Sequence, residues 1–216
     1  VRPLRWDWDT TRTRGAHDVI LAHFAAHRAD VLIGTQMIAK GLDLPLVTLV
    51  GVVSADTGLN LPDYRAAERT FQVLAQVAGR AGRGLLGGRV ILQTYQPEHY
   101  VIRAAADHDF QAFYEQELGF RRELRYPPFV RLARLVYRHV SPDRAQAEAE
   151  RLAQRLRAER VDGKPPDLIG PVPCFFRRIR GEYRWQIILR SQTPAEWIPA
   201  PLPPGWGLDI DPVSLL

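Results

Sequence analysis

The sequence predicts an α/β chain in two parts: a mostly parallel sheet with helices over residues 1–97, then a small α+β domain over residues 98–216. Three observations lead there. Apolar strand-like runs alternate with helix-like runs as far as Tyr95, the pattern of a parallel sheet. Gln96-Pro97 then interrupts the alternation. Beyond it the order becomes helix, strand, helix, strand, strand, with a turn between the last two that suits a hairpin.

Each element has its own signal. Trp6-Asp7-Trp8-Asp9-Thr10-Thr11 begins as a short alternating strand and ends in helix-capping residues. Ala16 to Arg28 is amphipathic, with Val19, Ile20 and Phe24 expected to face inward. The strand Val31-Leu32-Ile33 follows and leads directly to Gly34-Thr35. Val47 to Val53 is an unbroken apolar run, the pattern of a strand buried on both faces. Ser54 to Pro62 is a loop, and Asp63 to Leu74 a helix whose apolar spacing runs through Ala67, Phe71, Leu74 and Ala78. Arg89 to Tyr95 supplies another strand. Ligands of such sheets sit beyond the carboxyl ends of the strands, where Thr35 and Asp56 both fall. That placement favours function over packing for both.

In the second part, Glu98 to Glu117 is helical and Tyr126-Pro127-Pro128 stops it. Arg131 to Val140 alternates like a strand. Pro142 to Arg160 forms the cleanest amphipathic helix, with Ala145, Ala149, Leu152 and Leu156 inward. Cys174 to Ile179 and Arg184 to Leu189 pair across Arg180-Gly181-Glu182. The prolines at 194, 199, 201, 203 and 204 allow a loop or a much shortened helix before the last strand.

Composition sets outer bounds. At 46% hydrophobic and 25% charged, the 216 residues have ample material for a core. No run reaches the ~18 apolar residues of a membrane span, and no signal peptide precedes the first strand, so no membrane partner and a cytoplasmic location are expected. The single cysteine, Cys174, excludes an internal disulfide and a cysteine-built zinc site. A net charge of +5 fits a nucleic-acid partner without deciding for one.

The chemistry concentrates in two stretches. In Gln76-Val77-Ala78-Gly79-Arg80-Ala81-Gly82-Arg83, helical spacing puts Gln76, Arg80 and Arg83 on one face. Two glycines lie among them, each costing a helix interior about 1 kcal/mol against alanine. Arginines set among Gly and Ala suit a surface that a phosphate chain approaches closely, since the guanidinium fork binds phosphate oxygens in fixed geometry. The plain alternative is a helix C-terminus, with Gly as the stop and Arg complementing the dipole. Upstream stands Gly34-Thr35-Gln36-Met37-Ile38-Ala39-Lys40-Gly41-Leu42-Asp43-Leu44-Pro45.

Together these stretches resemble the last two helicase motifs of superfamily 2 nucleic-acid translocases. With Pro62-Asp63-Tyr64-Arg65-Ala66-Ala67-Glu68-Arg69, Tyr126-Pro127-Pro128-Phe129, Gly181-Glu182-Tyr183-Arg184 and Leu208-Asp209-Ile210-Asp211-Pro212, the whole chain is similar to the carboxy-terminal part of the replication-restart helicases, the primosomal protein N-prime family. That resemblance implies an incomplete RecA-like second helicase lobe followed by the small α+β domain. It implies an ATP-dependent 3′-to-5′ DNA helicase that restarts stalled forks and assembles the primosome. Arg80 and Arg83 then become the arginines that reach the γ-phosphate, and Gln76 the residue that places water or senses phosphate. Asp43, with Gly41, faces the nucleotide. Thr35, Gln36 and Lys40 contact the DNA backbone without sequence preference.

The implied cofactor is ATP with Mg²⁺, held mainly by a lobe outside this chain. Zinc belongs to the family, but its cysteine ligands are not among these residues. The implied partners are forked and single-stranded DNA, other primosome proteins and single-stranded DNA-binding protein. The chain has no G-x-x-x-x-G-K-[ST], so by itself it is expected neither to bind ATP tightly nor to hydrolyse it. The alternative is a non-catalytic DNA- or partner-binding module from a truncated or motor-dead relative. A DNA-facing patch of Arg121, Arg122, Arg177, Arg178 and Arg180 is weighed against an ordinary solvated face. The five tryptophans are weighed as base-stackers against packing, with packing favoured. Glu68 and Arg69 are read as a helix-surface pair, and His99 and His108 receive no role.

Overall fold

A computed structural model describes residues 1–35, 47–79 and 88–216. The chain clusters into two compact units. The first comprises Val1–Leu59 and Ala67–Phe113; the second comprises Asn60–Ala66 and Tyr114–Leu216.

The first unit is built from parallel strand pairs and helices. Strand β1 (Pro3–Trp6) pairs in parallel with β2 (Val31–Gly34), connected through helix α1 (Ala16–Ala25). Arg2 fixes the open end of this pair. Its backbone N–H and guanidinium both bond Asp30, at 2.7 and 2.6 Å, and hold that carboxyl down at about 2. Trp6 is buried, and its indole N–H donates to His17 Nδ1 at 3.0 Å, tying β1 to α1.

The expected inward stripe of α1 is met only in part. No residue of that helix is buried, and Val19 is 69% exposed. Ile20 and Phe24 are half-buried, so the stripe is covered only in part and its Val19 end is left open.

Strand β3 (Leu49–Val52) pairs in parallel with β4 (Arg89–Leu92). The apolar run around β3 is likewise not buried on both faces, since Leu49 and Val53 are 56% and 77% exposed. A two-stranded pair offers too little surface to close over both sides. The core of this unit lies where helix α3 (Ala66–Ala78) meets α4 (Tyr100–Ala106) and the start of α5 (Phe110–Glu123). There Phe71, Leu74, Val101, Ile102 and Phe113 are buried together, the Phe71 and Phe113 rings stacking 4.2 Å apart. Residues 98–113, placed by the sequence with the second domain, therefore cluster with the first unit.

The single helix expected over Glu98–Glu117 is two. It breaks at Asp107–Asp109, where His108 takes a positive φ of 55° and the Asp109 carboxylate caps the next helix by accepting from the Ala112 N–H. Asp and His suit that left-handed position better than bulky residues do. His99 caps α4, its Nδ1 accepting from Val101 N–H at 3.3 Å. The loop expected after β3 holds one helical turn, α2 (Asp56–Leu59).

In the second unit a four-stranded antiparallel sheet runs in the order β6 (Asp167–Ile179), β7 (Glu182–Ser191), β5 (Arg131–His139), β8 (Trp206–Ile210). Helix α6 (Pro142–Ala158) starts with a Ser141 cap on the Arg144 N–H and Pro at its first position. All four residues of its expected stripe, Ala145, Ala149, Leu152 and Leu156, are buried. Leu152 and Leu156 pack on Leu135 and Ile187, each fully buried leucine contributing roughly 1.5–3 kcal/mol. The proline segment keeps one 3₁₀ turn, Pro194–Trp197. The β6–β7 hairpin turns through Arg180 and Gly181, both at positive φ, 51° and 87°. Paired positive φ values are what a two-residue hairpin turn of this hand requires.

The opposite sheet face is closed by Val130, Leu132, Ile188 and Leu215, with Tyr64 and Tyr126 packed against them. Arg134 lies buried in that face. Its guanidinium donates to Gln186 Oε1 at 2.7 Å and to the Leu216 oxygen at 2.9 Å.

Candidate nucleic-acid and nucleotide-facing residues

Of the residues singled out by the sequence, Thr35 and Gln76 fall within the described part of the chain. Gln36, Lys40, Gly41, Asp43, Arg80 and Arg83 lie outside it. Thr35 directly follows the carboxyl end of β2, and its side chain is exposed. A hydroxyl there can donate to a phosphate oxygen with no sequence requirement.

Gln76 stands in the last turn of α3. The core face of that helix is set by Phe71, Leu74 and Val77, all buried. Five residues beyond Phe71, Gln76 turns to the opposite side and is exposed. The helix ends at Ala78, and Gly79 bonds back to Ala75 O at 3.0 Å. The chain therefore leaves α3 with Gln76 presented and its apolar stripe already used for packing. Glu68, on the same helix, accepts from Gln72 Nε2 at 3.2 Å, a common i, i+4 surface pair.

Asp56, grouped with Thr35 by its place after a strand, has a structural job instead. It is buried, accepts from Thr94 Oγ1 at 2.8 Å and from the Tyr95 N–H at 3.1 Å, and so ties α2 to the end of β4. The Thr94 hydrogen bond, opposed by burial and helped by the Tyr95 N–H, holds its carboxyl below the usual range. Both lone-pair sets are occupied, so the expectation of a functional Asp56 is corrected. A lowered folded pKa means that the stabilisation is complete above the unfolded value of about 4 and is lost as pH falls through the folded one. Asp56→Asn is therefore expected to melt at lower temperature than the parent at pH 7, with the gap narrowing below about pH 4. Melting curves of both proteins from pH 7 to 3 check this; a gap that persists unchanged at pH 3 contradicts it.

The arginine patch divides. Arg121 is engaged internally: its Nε donates to Glu117 Oε1 at 2.6 Å, and its guanidinium sits 5.6 Å from the Tyr64 ring centre. Arg122 lies over Phe129 at 4.8 Å. Arg177, Arg178 and Arg180 are exposed at the β6–β7 hairpin. Three tryptophans take packing roles. Trp6 is bonded as described, Trp197 is buried with its N–H on Ser191 Oγ, and Trp206 leans on Tyr137.

Two residues that sequence reasoning left unassigned organise the second unit. Asp63 Oδ2 accepts from Ser214 Oγ at 2.5 Å and Leu215 N–H at 3.2 Å, while Oδ1 accepts from Arg65 N–H. Tyr64 donates to Pro212 O at 2.9 Å and stacks on Tyr126. The Pro62-Asp63-Tyr64-Arg65 segment thus anchors the tail that closes one sheet face. Among the described residues, no group of three or more His, Cys, Asp or Glu is placed to hold a metal ion, and no helix is long and apolar enough to cross a membrane.

The helicase conserved C-terminal domain matches residues 9–84, and the primosomal protein N C-terminal domain matches residues 122–213. The replication restart protein PriA of Bacillus subtilis is 48% identical over 190 residues, covering 88% of this chain and 23% of that protein. Its Synechocystis counterpart is 44% identical over 223 residues, 100% of this chain and 27% of that protein. The Treponema pallidum protein is 45% identical over 186 residues, covering 86% and 28% respectively. The chain spans about a quarter of the length of these relatives. It belongs to the replication restart protein PriA family, of which it represents the carboxy-terminal part: the helicase C-terminal domain followed by the primosomal protein N C-terminal domain.

Proposed function

We propose that this chain supplies the second half of a composite ATP site, together with a DNA-backbone contact, to an ATP-dependent DNA helicase that acts in replication restart. The observation that carries this reading is the order of motifs on the first unit. An exposed Thr35 follows β2 at the head of the Thr35–Pro45 stretch, and an exposed Gln76 stands in the last turn of α3, shortly before Arg80 and Arg83 in sequence. Hydrolysis of the bound nucleotide supplies the free energy for movement. From this chain, Arg80 and Arg83 offset charge on the phosphoryl oxygens, Gln76 orients water or senses the phosphate, and Gly41 and Asp43 face the nucleotide. Thr35, Gln36 and Lys40 hold the DNA backbone. The partners are forked and single-stranded DNA and the other primosome proteins, including single-stranded DNA-binding protein. The site of action is the cytoplasm. Residues 1–97 carry the motor chemistry, and the accessory domain lies within residues 98–216, beyond the stretch to Phe113 that packs with the first unit.

The chain alone is expected to bind labelled forked DNA weakly and without sequence preference. Affinity should fall steeply between about 50 and 200 mM salt as counterions are released. Fluorescence anisotropy across a salt series measures it. Salt-insensitive binding, or none at low salt, sinks the reading.

A further inference from the structure

We infer that the β6–β7 hairpin is a second contact for single-stranded nucleic acid, separate from the motif contacts proposed above, in which bases stack on Phe175 and Phe176. Strand β6 loses register with β7 between Pro173 and Arg178, while Arg184 alone separates their partners Trp185 and Tyr183. This bulge carries Phe175 and Phe176 outward. They are 47% and 53% exposed, their rings edge-to-face at 5.0 Å. A bulge on an edge strand re-aims side chains, and here it aims two aromatics at solvent.

The charge around them is mainly positive. Arg177, Arg178 and Arg180 lie on the same arm and turn, and Glu182 is the sole acid between Cys174 and Trp185. Arg184 stands directly opposite Arg138 across β7 and β5, a like-charge pair that disfavours the sheet. The Arg184 Nε is buried with no hydrogen-bond partner. Arg178 sits over the Tyr183 ring at 5.2 Å. A polyanion would relieve the Arg138–Arg184 repulsion, which a neutral or basic partner would not. Base faces suit the paired phenylalanines, and only an unpaired strand exposes them. Strand addition by a peptide fits poorly, because Pro171 and Pro173 withhold N–H groups from the edge and the bulge bends it.

The test uses the whole chain with labelled oligothymidine and oligouridine in fluorescence anisotropy across a salt series. Phe175→Ala/Phe176→Ala should weaken binding at least tenfold with an unchanged salt slope, because no charge is removed. Arg177→Gln/Arg180→Gln should lower the log–log slope by roughly 1.4, from two phosphate contacts at about 0.7 each. Melting temperatures should stay at the parent value, since these side chains are exposed. Loss in the hairpin variants on either strand supports the contact. Thr35→Ala separates the two proposals: loss there with unaffected hairpin variants overturns this one alone, and loss in the hairpin variants with unaffected Thr35→Ala leaves it standing without the motif. Unchanged affinity of both hairpin variants overturns it and leaves the patch to a protein partner.

Discussion

Arg80→Ala or Arg83→Ala in the full-length helicase should cut DNA-stimulated ATP turnover by about 10²-fold or more. An arginine that reaches transferring phosphoryl oxygens stabilises charge that grows toward the transition state. Such residues contribute roughly 10³–10⁵ in rate where they have been removed. DNA binding without nucleotide should change little, because the proposed backbone contact rests on Thr35 and Gln36, not on the arginines. Stability should also be kept, since the core of the first unit is closed by Phe71, Leu74, Val101 and Phe113. If the two arginines only capped α3, the pattern would invert, with stability lost and turnover falling in step with folded protein.

The second large effect lies in the tail. Asp63→Ala should destabilise the second unit by about 2–3 kcal/mol, because it strips the acceptor from the Ser214 hydroxyl and from the Leu215 N–H, the latter in a buried hydrogen bond. The loss reaches the sheet through Leu215, which packs with Leu132 and Ile188. Ser214→Ala should cost less, since the Leu215 bond survives. The double variant should fall short of the sum by at least about 0.5 kcal/mol, as contacting residues do in such cycles. Urea unfolding of the four proteins measures both quantities. Strict additivity would show that the Asp63–Ser214 bond is not formed in solution.

Local pattern made the second unit readable and left parts of the first obscure, for physical reasons. The stripe of α6 alternates cleanly because one face meets a sheet and the other meets water, so Ala145, Ala149, Leu152 and Leu156 were all legible. Arg180-Gly181 announced the hairpin because few residue pairs accept positive φ twice. Val19 and the run around β3 misled, because apolar residues signal a face able to be buried, whereas burial depends on what is packed there. The roles of Asp63 and Tyr64 were invisible since their partners, Ser214 and Pro212, lie about 150 residues away. Arg134 was hidden for a different reason. A buried guanidinium is rare unless its donors are satisfied, and Gln186 and the Leu216 oxygen that satisfy it also come from distant sequence. Of the residues proposed for the motor, Thr35 and Gln76 are exposed. Asp56 shares with Thr35 a place just after a strand but not its exposure, and its occupied carboxylate separates packing from chemistry.

The measurement closest to the central claim pairs turnover with stability on the same preparations of Arg80→Ala and Arg83→Ala full-length protein. Phosphate release at saturating forked DNA and thermal melting are read side by side. A role at the γ-phosphate predicts melting temperatures within error of the parent and turnover reduced about 10²-fold or more. Parent-level turnover in either folded variant contradicts it and removes that arginine from the ATP site.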